Sequence, residues 1–489
     1  MTAVLAHSRP ERPARGSRAA WLGLAVLTLP VLLVSMDVSV LFLAMPKLTA
    51  QLHPTAAQQL WILDIYGFLI AGLLITMGNV GDRIGRRRIL LLGATVFGAA
   101  SALAAFAPNP QVLIAARALM GIGGATLLPS SLSLISTMFP DARNRSRAIG
   151  IWTAVFAGGS AIGPVVGGLL LHHFWWGSVF LINVPVLLVL LAFGPRLLPE
   201  HRGGPRGRLD MPSVALSIAG ILPTVYAIKH LAADGPDLTA AAAGVVGVVL
   251  LLVFGLRQTR LADPLLRLRL FRDRKFATAI AASLVAMMSL AAMSYLTNIY
   301  LQSVAGFDVL AAALLGLPAT VVVFGFSVTA ARIVARFGVR TTFVVSMLLV
   351  AAGDLTLLAV GTDGGLWAFL LGCAVAGIGY GAMFALISDV AVAAVPAAEA
   401  GAATGISETS FELGNALGLA LLGSLAALVF RSGGNFGETL ADTLAQAGGD
   451  TALAAAARES FVTGLHVAAA VSAAALALTA AVTARTLRR

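Results

Sequence analysis

Fourteen long stretches with almost no charged residues constrain this chain more than any other feature of its sequence. Each holds about 18–25 mostly apolar residues, the length that a helix needs to cross the hydrocarbon core of a bilayer. Hydrophobic residues make up 58% of the 489 residues and charged residues only 11%, which excludes an ordinary soluble domain. We therefore predict an all-α polytopic membrane protein. The predicted spans are 20–43, 59–79, 89–107, 111–137, 147–170, 176–197, 212–231, 239–256, 276–302, 309–331, 341–360, 366–389, 401–429 and 460–484.

The basic residues lie predominantly on one side of these spans. With a cytoplasmic N-terminus, 28 of the 33 Lys and Arg residues fall in the cytoplasmic tails and loops, whereas Lys47, Lys229, Arg431 and Arg458 fall outside. This asymmetry follows the positive-inside rule and predicts a multi-pass protein of the plasma membrane with both termini in the cytoplasm. It also accounts for the net charge of +11 without a nucleic-acid partner.

Two basic breaks divide the chain into groups of six, two and six spans. We expect a cytoplasmic basic tail over 1–19, a six-helix bundle over 20–198, an inserted helix pair with basic cytoplasmic linkers over 199–275, and a second six-helix bundle over 276–489. A similar basic turn follows spans 2 and 10, which indicates a duplicated unit. Duplicated six-helix units are typical of transporters whose site lies between the halves.

Two connecting segments have patterns of their own. The linker 261–271 interleaves leucines with arginines, which favours a helix lying along the membrane interface; a solvated basic linker is the alternative. In the external loop 431–459, residues 437–449 predict a short helix, and Asp450 is suited to cap the helix that enters span 14.

Four acids at membrane depth are the candidate functional groups. Asp37 and Asp64 lie near the middle of spans 1 and 2, where each costs roughly 2.5–3.5 kcal/mol to insert. In span 13, Glu408 and Glu412 form one polar stripe with Asn415 at i, i+4 and i+7 spacing. We predict that these acids face one cavity and bind protons and cations there. Asp354, near the end of span 11 where a carboxylate is inexpensive, is predicted to be structural.

Arg117 is the basic residue within span 4, and an unpaired guanidinium at that depth is costly. It should face a carboxylate or the cavity, whereas snorkelling to the interface is the alternative. Pairing with Arg117 would engage either Asp37 or Asp64 in a structural salt bridge.

Several aromatic residues are candidates for the cavity wall. Trp61, Asp64 and Phe68 share a helical face, which places an acid between two rings and would attract a lipophilic cation. Packing and lipid contact remain alternatives for the aromatic side chains of other spans. The remaining cavity candidates are Tyr66, Trp152, Phe156, Tyr295, Tyr300, Phe384 and Phe411.

The turn between spans 2 and 3 combines glycines, an acid and arginines in Gly78-Asn79-Val80-Gly81-Asp82-Arg83-Ile84-Gly85-Arg86-Arg87-Arg88. An acid before a helix N-terminus suits the helix dipole, and the arginines can pair across to the other half and hold one conformation. A plain positive-inside loop is the alternative. The predicted conformational-switch residues are Gly78, Asp82, Arg83, Gly85, Arg86 and Arg87.

Span 5 is rich in glycine around an internal proline. Glycines four residues apart let helix backbones approach closely, and a proline bends the span. Generic small-residue packing is the alternative. The candidate motif residues are Gly159, Gly163, Pro164, Gly167 and Gly168.

These motifs resemble those of the major facilitator superfamily. The turn after span 2 resembles the superfamily loop G-x-L-A-D-R-x-G-R-[KR], with Val80 and Gly81 where Leu and Ala are usual. Span 5 resembles the motif that marks its antiporters. The start of span 4, residues 117–125, is similar to R-x-x-Q-G-x-G-G-A, with Met120 in place of Gln.

Three further segments, 35–37, 58–66 and 405–415, resemble the fourteen-span drug:proton antiporter branch, in particular the multidrug and quaternary ammonium exporters of the QacA, SmvA and LfrA type. The resemblance implies a major facilitator fold with two extra helices and the exchange of hydrophobic mono- and divalent cations for protons. Some relatives carry an acid in span 10, where this chain has only Asp308 at the outer edge. That departure argues against tight handling of dications.

The sequence thus predicts a proton-coupled antiporter that exports lipophilic cationic drugs, dyes and quaternary ammonium compounds by alternating access. We expect a monomer in the lipid bilayer that uses the proton gradient and needs neither cofactor nor metal. The alternative is a same-fold exporter of a metabolite or antibiotic that is not cationic, although an anion site should carry more basic residues than Arg117. An enzyme is disfavoured, because His172 and His173 have no partner acids nearby in the sequence.

Overall fold

The fold is built from helices alone within the described residues of the computed structural model, which are 18–200, 210–234, 237–261, 264, 266–362, 364–393, 400–448 and 450–487. The α-helices are α1 (Arg18–Leu52), α2 (Ala56–Ile84), α3 (Arg86–Ala105), α4 (Pro110–Met138), α5 (Ala142–His173), α6 (Ser178–Leu181), α7 (Asn183–Leu197), α8 (Met211–Asp234), α9 (Leu238–Arg260), α10 (Arg274–Ile299), α11 (Val309–Phe337), α12 (Val339–Thr356), α13 (Leu366–Ala393), α14 (Ala400–Gly418), α15 (Ser424–Ser432), α16 (Leu440–Ala447) and α17 (Thr451–Thr486).

The predicted spans coincide with these helices. Thirteen segments of the described residues are long and apolar enough to cross a membrane, and each falls on a predicted span. The fourteenth prediction, 147–170, lies within α5, whose apolar parts Arg147–Phe156 and Ile162–His173 are shorter. The all-α polytopic fold class is therefore confirmed.

Helices α1 to α7 form one half of the molecule, and α10 to α17 form the other. The halves meet where α2 packs against α14, α5 against α11, and α1 against α10. Helix α9 packs against α8, which in turn lies against α2 and α15. The inserted pair therefore flanks the place where α2 meets the C-terminal half.

Side-chain hydrogen bonds join the halves near one of the two membrane faces. We call the face with the α2–α3 turn the basic face, and the opposite one, which carries α16, the α16 face. Contacts between the halves near the α16 face include the hydrogen bond from Gln59 Nε2 to Tyr295 Oη (2.8 Å) and that from Gln302 Nε2 to the Leu43 carbonyl oxygen (3.3 Å). These bonds hold the halves together on that face.

The two connecting segments behave largely as predicted. The Asp450 side chain accepts hydrogen bonds from the backbone N–H groups of Ala452 and Leu453 and caps α17, and α16 lies inside the predicted helix 437–449. The linker forms a 3₁₀-helix over Leu268–Arg272, whose Leu270 is buried in an apolar cluster with Phe276. The linker is thus packed against the C-terminal half over these residues; positions 262, 263 and 265 lie outside the described part.

Candidate functional site

A buried ion pair joins α1 and α4 in the N-terminal half. The Nη1 atom of Arg117 on α4 pairs with Oδ2 of Asp37 on α1, and the two side chains are 0% and 3% exposed. Arg117 Nε also donates to the Ile62 carbonyl oxygen at 3.0 Å, and its guanidinium carbon lies 4.5 Å from the centre of the Tyr66 ring. Arg117 therefore joins α1, α2 and α4 and does not snorkel.

This pairing decides between the two partners that the sequence left open. Asp37 is the acid engaged by Arg117, so the pair as a whole carries no net charge in this conformation. In a buried ion pair, electrostatic attraction offsets the cost of desolvation only when both partners are present and well hydrogen-bonded, as they are here.

Asp64 lies on the stripe of α2 that faces the other half. Leu60, one turn before it, packs close to Gly423, which lies between α14 and α15. Gly67, one turn after it, lies against Ala416 of α14. Asp64 is 1% exposed between these two contacts. The sequence spacing of 60, 64 and 67 therefore places this acid at the interface between the halves.

Glu408 and Glu412 lie half-buried along α14. Glu412 is close enough to interact electrostatically with Glu408 and with Asp37 of the other half. The Tyr66 hydroxyl likewise interacts electrostatically with both Asp37 and Glu412. Asn415 is half-buried one turn further along the same helix. Acids of both halves are thus brought within electrostatic reach of one another near Tyr66.

An aromatic cluster lies beside this stripe in the C-terminal half. The Phe384 ring packs edge-on against Phe411 at a centroid distance of 5.9 Å and stacks on Tyr380 at 5.5 Å. Phe384 and Phe411 are predicted members of the site. Tyr380 was missed, although its spacing of four residues from Phe384 on one helix could have revealed it.

Two predicted cavity rings pack in an apolar cluster. Phe68 is buried in an apolar cluster with Val225 of α8 and Ala416 of α14, and Trp61 packs against the same cluster. Phe68 thus packs against apolar side chains of α8 and α14, and the predicted enclosure of Asp64 by these two rings stays a prediction. The inserted helix pair covers that face of α2, which spacing within α2 cannot show.

The other aromatic candidates divide into packing residues and a cavity residue. Tyr300 is buried and donates from its hydroxyl to the carbonyl oxygen of Gly361 at 3.1 Å, and its predicted cavity role stays a prediction. Trp152 donates from Nε1 to Ser131 Oγ of α4 at 2.9 Å, and this bond joins α5 to α4. The Trp152 ring also stacks on Phe156, one turn along α5. Tyr295 lines a cavity at the α16 face between α1, α2, α10 and α16.

The predicted switch turn is held by an acid from the same half. Arg87 Nε lies 3.7 Å from Glu200 Oε2, and the Arg87 backbone N–H donates to Glu200 Oε1 at 3.1 Å. Arg88 also lies within 3.8 Å of this carboxylate. Arg87 and Arg88 therefore pair with an acid that follows α7 and not with the other half, whereas pairing of Arg83 and Arg86 across the halves stays a prediction.

The turn itself depends on Gly85, whose φ of 115° favours glycine. A Cβ atom there would collide with the Glu200 carboxylate. Gly78 lies near Pro129, and Arg86 is almost buried. Arg83 is exposed at the end of α2, and the side chain of Asp82 lies outside the described residues.

The glycine motif of α5 fits the backbone of α1. A Cβ atom at Gly167 would lie 2.8 Å from Val40 Cγ1, and equivalent atoms at Gly159 and Gly163 would meet Ser35 and Ser39. Gly168 faces Ala313 of α11 instead, and Pro164 lies inside the helix. The motif therefore lets α5 approach α1 and the opposite half at once.

Within the described residues, no group of three or more His, Cys, Asp or Glu side chains is arranged to hold a metal ion. The site consists of acids at the interface of two helical halves in a membrane-spanning chain. This combination defines a multi-pass membrane transporter.

The comparisons agree with this class. The family profile described as the Major Facilitator Superfamily matches residues 27–419, and the chain belongs to this superfamily. It is 44% identical over 413 residues to the multidrug efflux pump LfrA of Mycolicibacterium smegmatis, covering 84% of this chain and 82% of the relative. It is 36% identical over 424 residues to the methyl viologen resistance protein SmvA of Salmonella typhimurium, covering 84% and 83%.

Solved structures show the same fold. The inward-facing bacterial homologue of the human lysosomal transporter Spinster superposes with a TM-score of 0.67 at 18% sequence identity, covering 96% of this chain and 99% of that one. The relatives by sequence are multidrug efflux and resistance transporters of this superfamily, so this chain is a small-molecule transporter of the drug-exporter type.

Proposed function

We propose that this protein exports lipophilic cations in exchange for protons. The observation that carries the proposal is that Asp64 and Glu412, from opposite halves, lie buried or half-buried where α2 meets α14. The names of the relatives, a multidrug efflux pump and a methyl viologen resistance protein, support the same substrate class.

Exchange follows from the cost of burying negative charge. A carboxylate in an apolar interior is stable only when a proton or a cation neutralises it. A lipophilic cation and a proton therefore compete for the same acids, and the binding of one releases the other. Asp37 is already neutralised by Arg117, so we assign the exchange to Asp64, Glu408 and Glu412 and a supporting role to Asp37.

Alternating access determines the direction in which the substrate is transported. The halves are joined at the α16 face by the Gln59–Tyr295 bond, so we assign substrate entry to the basic face. The positive-inside rule assigns that face to the cytoplasm. We further propose that the protein acts as a monomer, without a cofactor, on the energy of the proton gradient.

The test is transport in inverted membrane vesicles with and without an imposed proton gradient. We expect a fluorescent monovalent cation to accumulate only when the proton gradient is present. Addition of the cation should also dissipate that gradient. A neutral dye of similar size serves as the control. Equal transport of the neutral dye, or cation uptake that ignores the gradient, would contradict the proposal.

A further inference from the structure

A second buried acid lies in the C-terminal half, away from the stripe on α14. Asp354, in the last turn of α12, is 2% exposed. Its Oδ2 accepts hydrogen bonds from Ser289 Oγ of α10 at 2.8 Å and from Ser472 Oγ of α17 at 2.7 Å. The Tyr380 hydroxyl of α13 donates to Ser289 Oγ at 2.9 Å. Asp354 therefore lies where four helices meet, and the prediction that it occupies an inexpensive position is wrong.

The surroundings of Asp354 differ from those of Asp37. Asp37 has a guanidinium partner, whereas within the described residues Asp354 accepts hydrogen bonds from hydroxyl groups. The titratable groups that face it are Cys373 and Tyr380 of α13. On α17, His466 is engaged with the Val360 carbonyl oxygen at 2.9 Å.

An amide would accept the same serine hydrogen bonds as this carboxylate. Aspartate differs from asparagine there chiefly in its ability to bind and release a proton. An ionisable residue at membrane depth is expensive to keep, so its presence without a basic partner indicates a function for that ability.

Building on the proposed exchange of protons for cations, we propose that Asp354 is a further proton-binding residue of the transport cycle. In the ionised state both oxygens only accept hydrogen bonds. Uptake of one proton forms an O–H bond at Oδ1, because Oδ2 already accepts two hydroxyl donors. No other bond is made or broken.

Two connections link this residue to the site between the halves. Tyr380 stacks on Phe384, which contacts Phe411 beside Glu412 on α14. Helix α10 carries both Ser289 and Tyr295, the partner of Gln59 at the α16 face. A change of charge at Asp354 therefore acts on the helices that form the interface.

The first test measures proton binding without transport. Infrared difference spectra of the purified protein in lipid, recorded between acidic and alkaline pH, should contain a C=O stretching band of a protonated carboxyl group. The acids between the halves also contribute to this band, so we expect Asp354→Asn to remove one component of it. Ser289→Ala, which removes one hydroxyl donor, should shift that component. The control is Asp308→Asn, which changes an exposed acid that caps α11 and should keep the band.

The second test uses the same variants in vesicles. We expect Asp354→Asn to bind a fluorescent cation with unchanged affinity but to show a weaker pH dependence of cation transport, and Asp354→Glu to restore part of it. If Asp354→Asn is not recovered in the membrane, the band shift in Ser289→Ala decides the question.

The outcomes separate this proposal from the proposed function. A carboxyl band that neither Asp354→Asn nor Ser289→Ala changes would overturn the role of Asp354. Lower thermal stability of both variants with an unchanged pH dependence of transport would also overturn it and leave a structural residue. Wild-type protein that transports no cation in exchange for protons would instead refute the proposed function. The Asp354 component of the infrared band would still report whether Asp354 binds a proton.

Discussion

Arg117 and Asp37 form an ion pair between α4 and α1 in which neither side chain is more than 3% exposed. The pair lies next to the interface between the halves, since Asp37 also interacts electrostatically with Glu412. The guanidinium of Arg117 thus engages one acid of this region within the N-terminal half.

Replacing Arg117 by Met should destabilise the protein by about 3–5 kcal/mol, because Asp37 is then buried without its partner. The double variant Arg117→Met, Asp37→Asn should recover much of that loss. Thermal unfolding in detergent measures both effects. A single variant as stable as wild type would show that the pair contributes nothing to folding.

Asp64→Asn should abolish export of cationic substrates while the protein remains in the membrane. The acid lies where α2 meets α14, and the amide cannot exchange a proton. Resistance of cells to a cationic dye, with expression confirmed, is the measurement. Asp308→Asn is the matched control, since it removes an exposed acid whose capping role asparagine can fill. Export by Asp64→Asn at the wild-type level would exclude the proposed role.

Glu408→Gln and Glu412→Gln should each impair divalent substrates more than monovalent ones. Two interacting acids titrate as a unit, so one of them tends to hold a proton while the other is ionised. A dication such as methyl viologen needs a second ionised partner, whereas a monovalent dye paired with Asp64 does not. Proton release on substrate addition is the measurement. If the double variant releases as many protons per bound cation as wild type, α14 is not part of the exchange site.

Gly85→Ala should slow turnover and destabilise the protein by roughly 1–3 kcal/mol, because a side chain is strained at positive φ and would displace Glu200. Gly325→Ala is the control, since a Cβ atom there has open space on α11. Initial transport rates and equilibrium binding of a fluorescent cation separate switching from affinity. A large loss of affinity in Gly85→Ala alone would contradict a switching role for the turn.

Spans and caps could be predicted because they depend on local sequence. Apolar length predicted the helices, and the Asp450 side chain caps α17 through backbone groups two and three residues away. The partner of Arg117 could not be chosen in this way, since Asp37 and Asp64 are equally isolated along the chain and only the packing of α1 against α4 distinguishes them.

The positions that prediction missed depend on contacts between distant helices. The face of α2 with Phe68 appeared suited to a cavity, but α8 covers it from more than a hundred residues away in the sequence. Asp354 appeared to lie at a helix end, yet α10, α13 and α17 close around it. Periodicity within one helix identifies which residues share a face and leaves the neighbour of that face undetermined.

The position of α8 against α2 and α15 makes the two lateral seams between the halves unequal. Along the seam of α2 with α14, Val225 and its neighbours on α8 cover the junction, so acyl chains cannot reach it there. The seam of α5 with α11 has no inserted helix packed over it among the described residues, and Ile162, Leu314 and Val321 are exposed along these two helices. Lipid acyl chains therefore contact the α5–α11 seam directly, whereas α8 separates them from the α2–α14 seam.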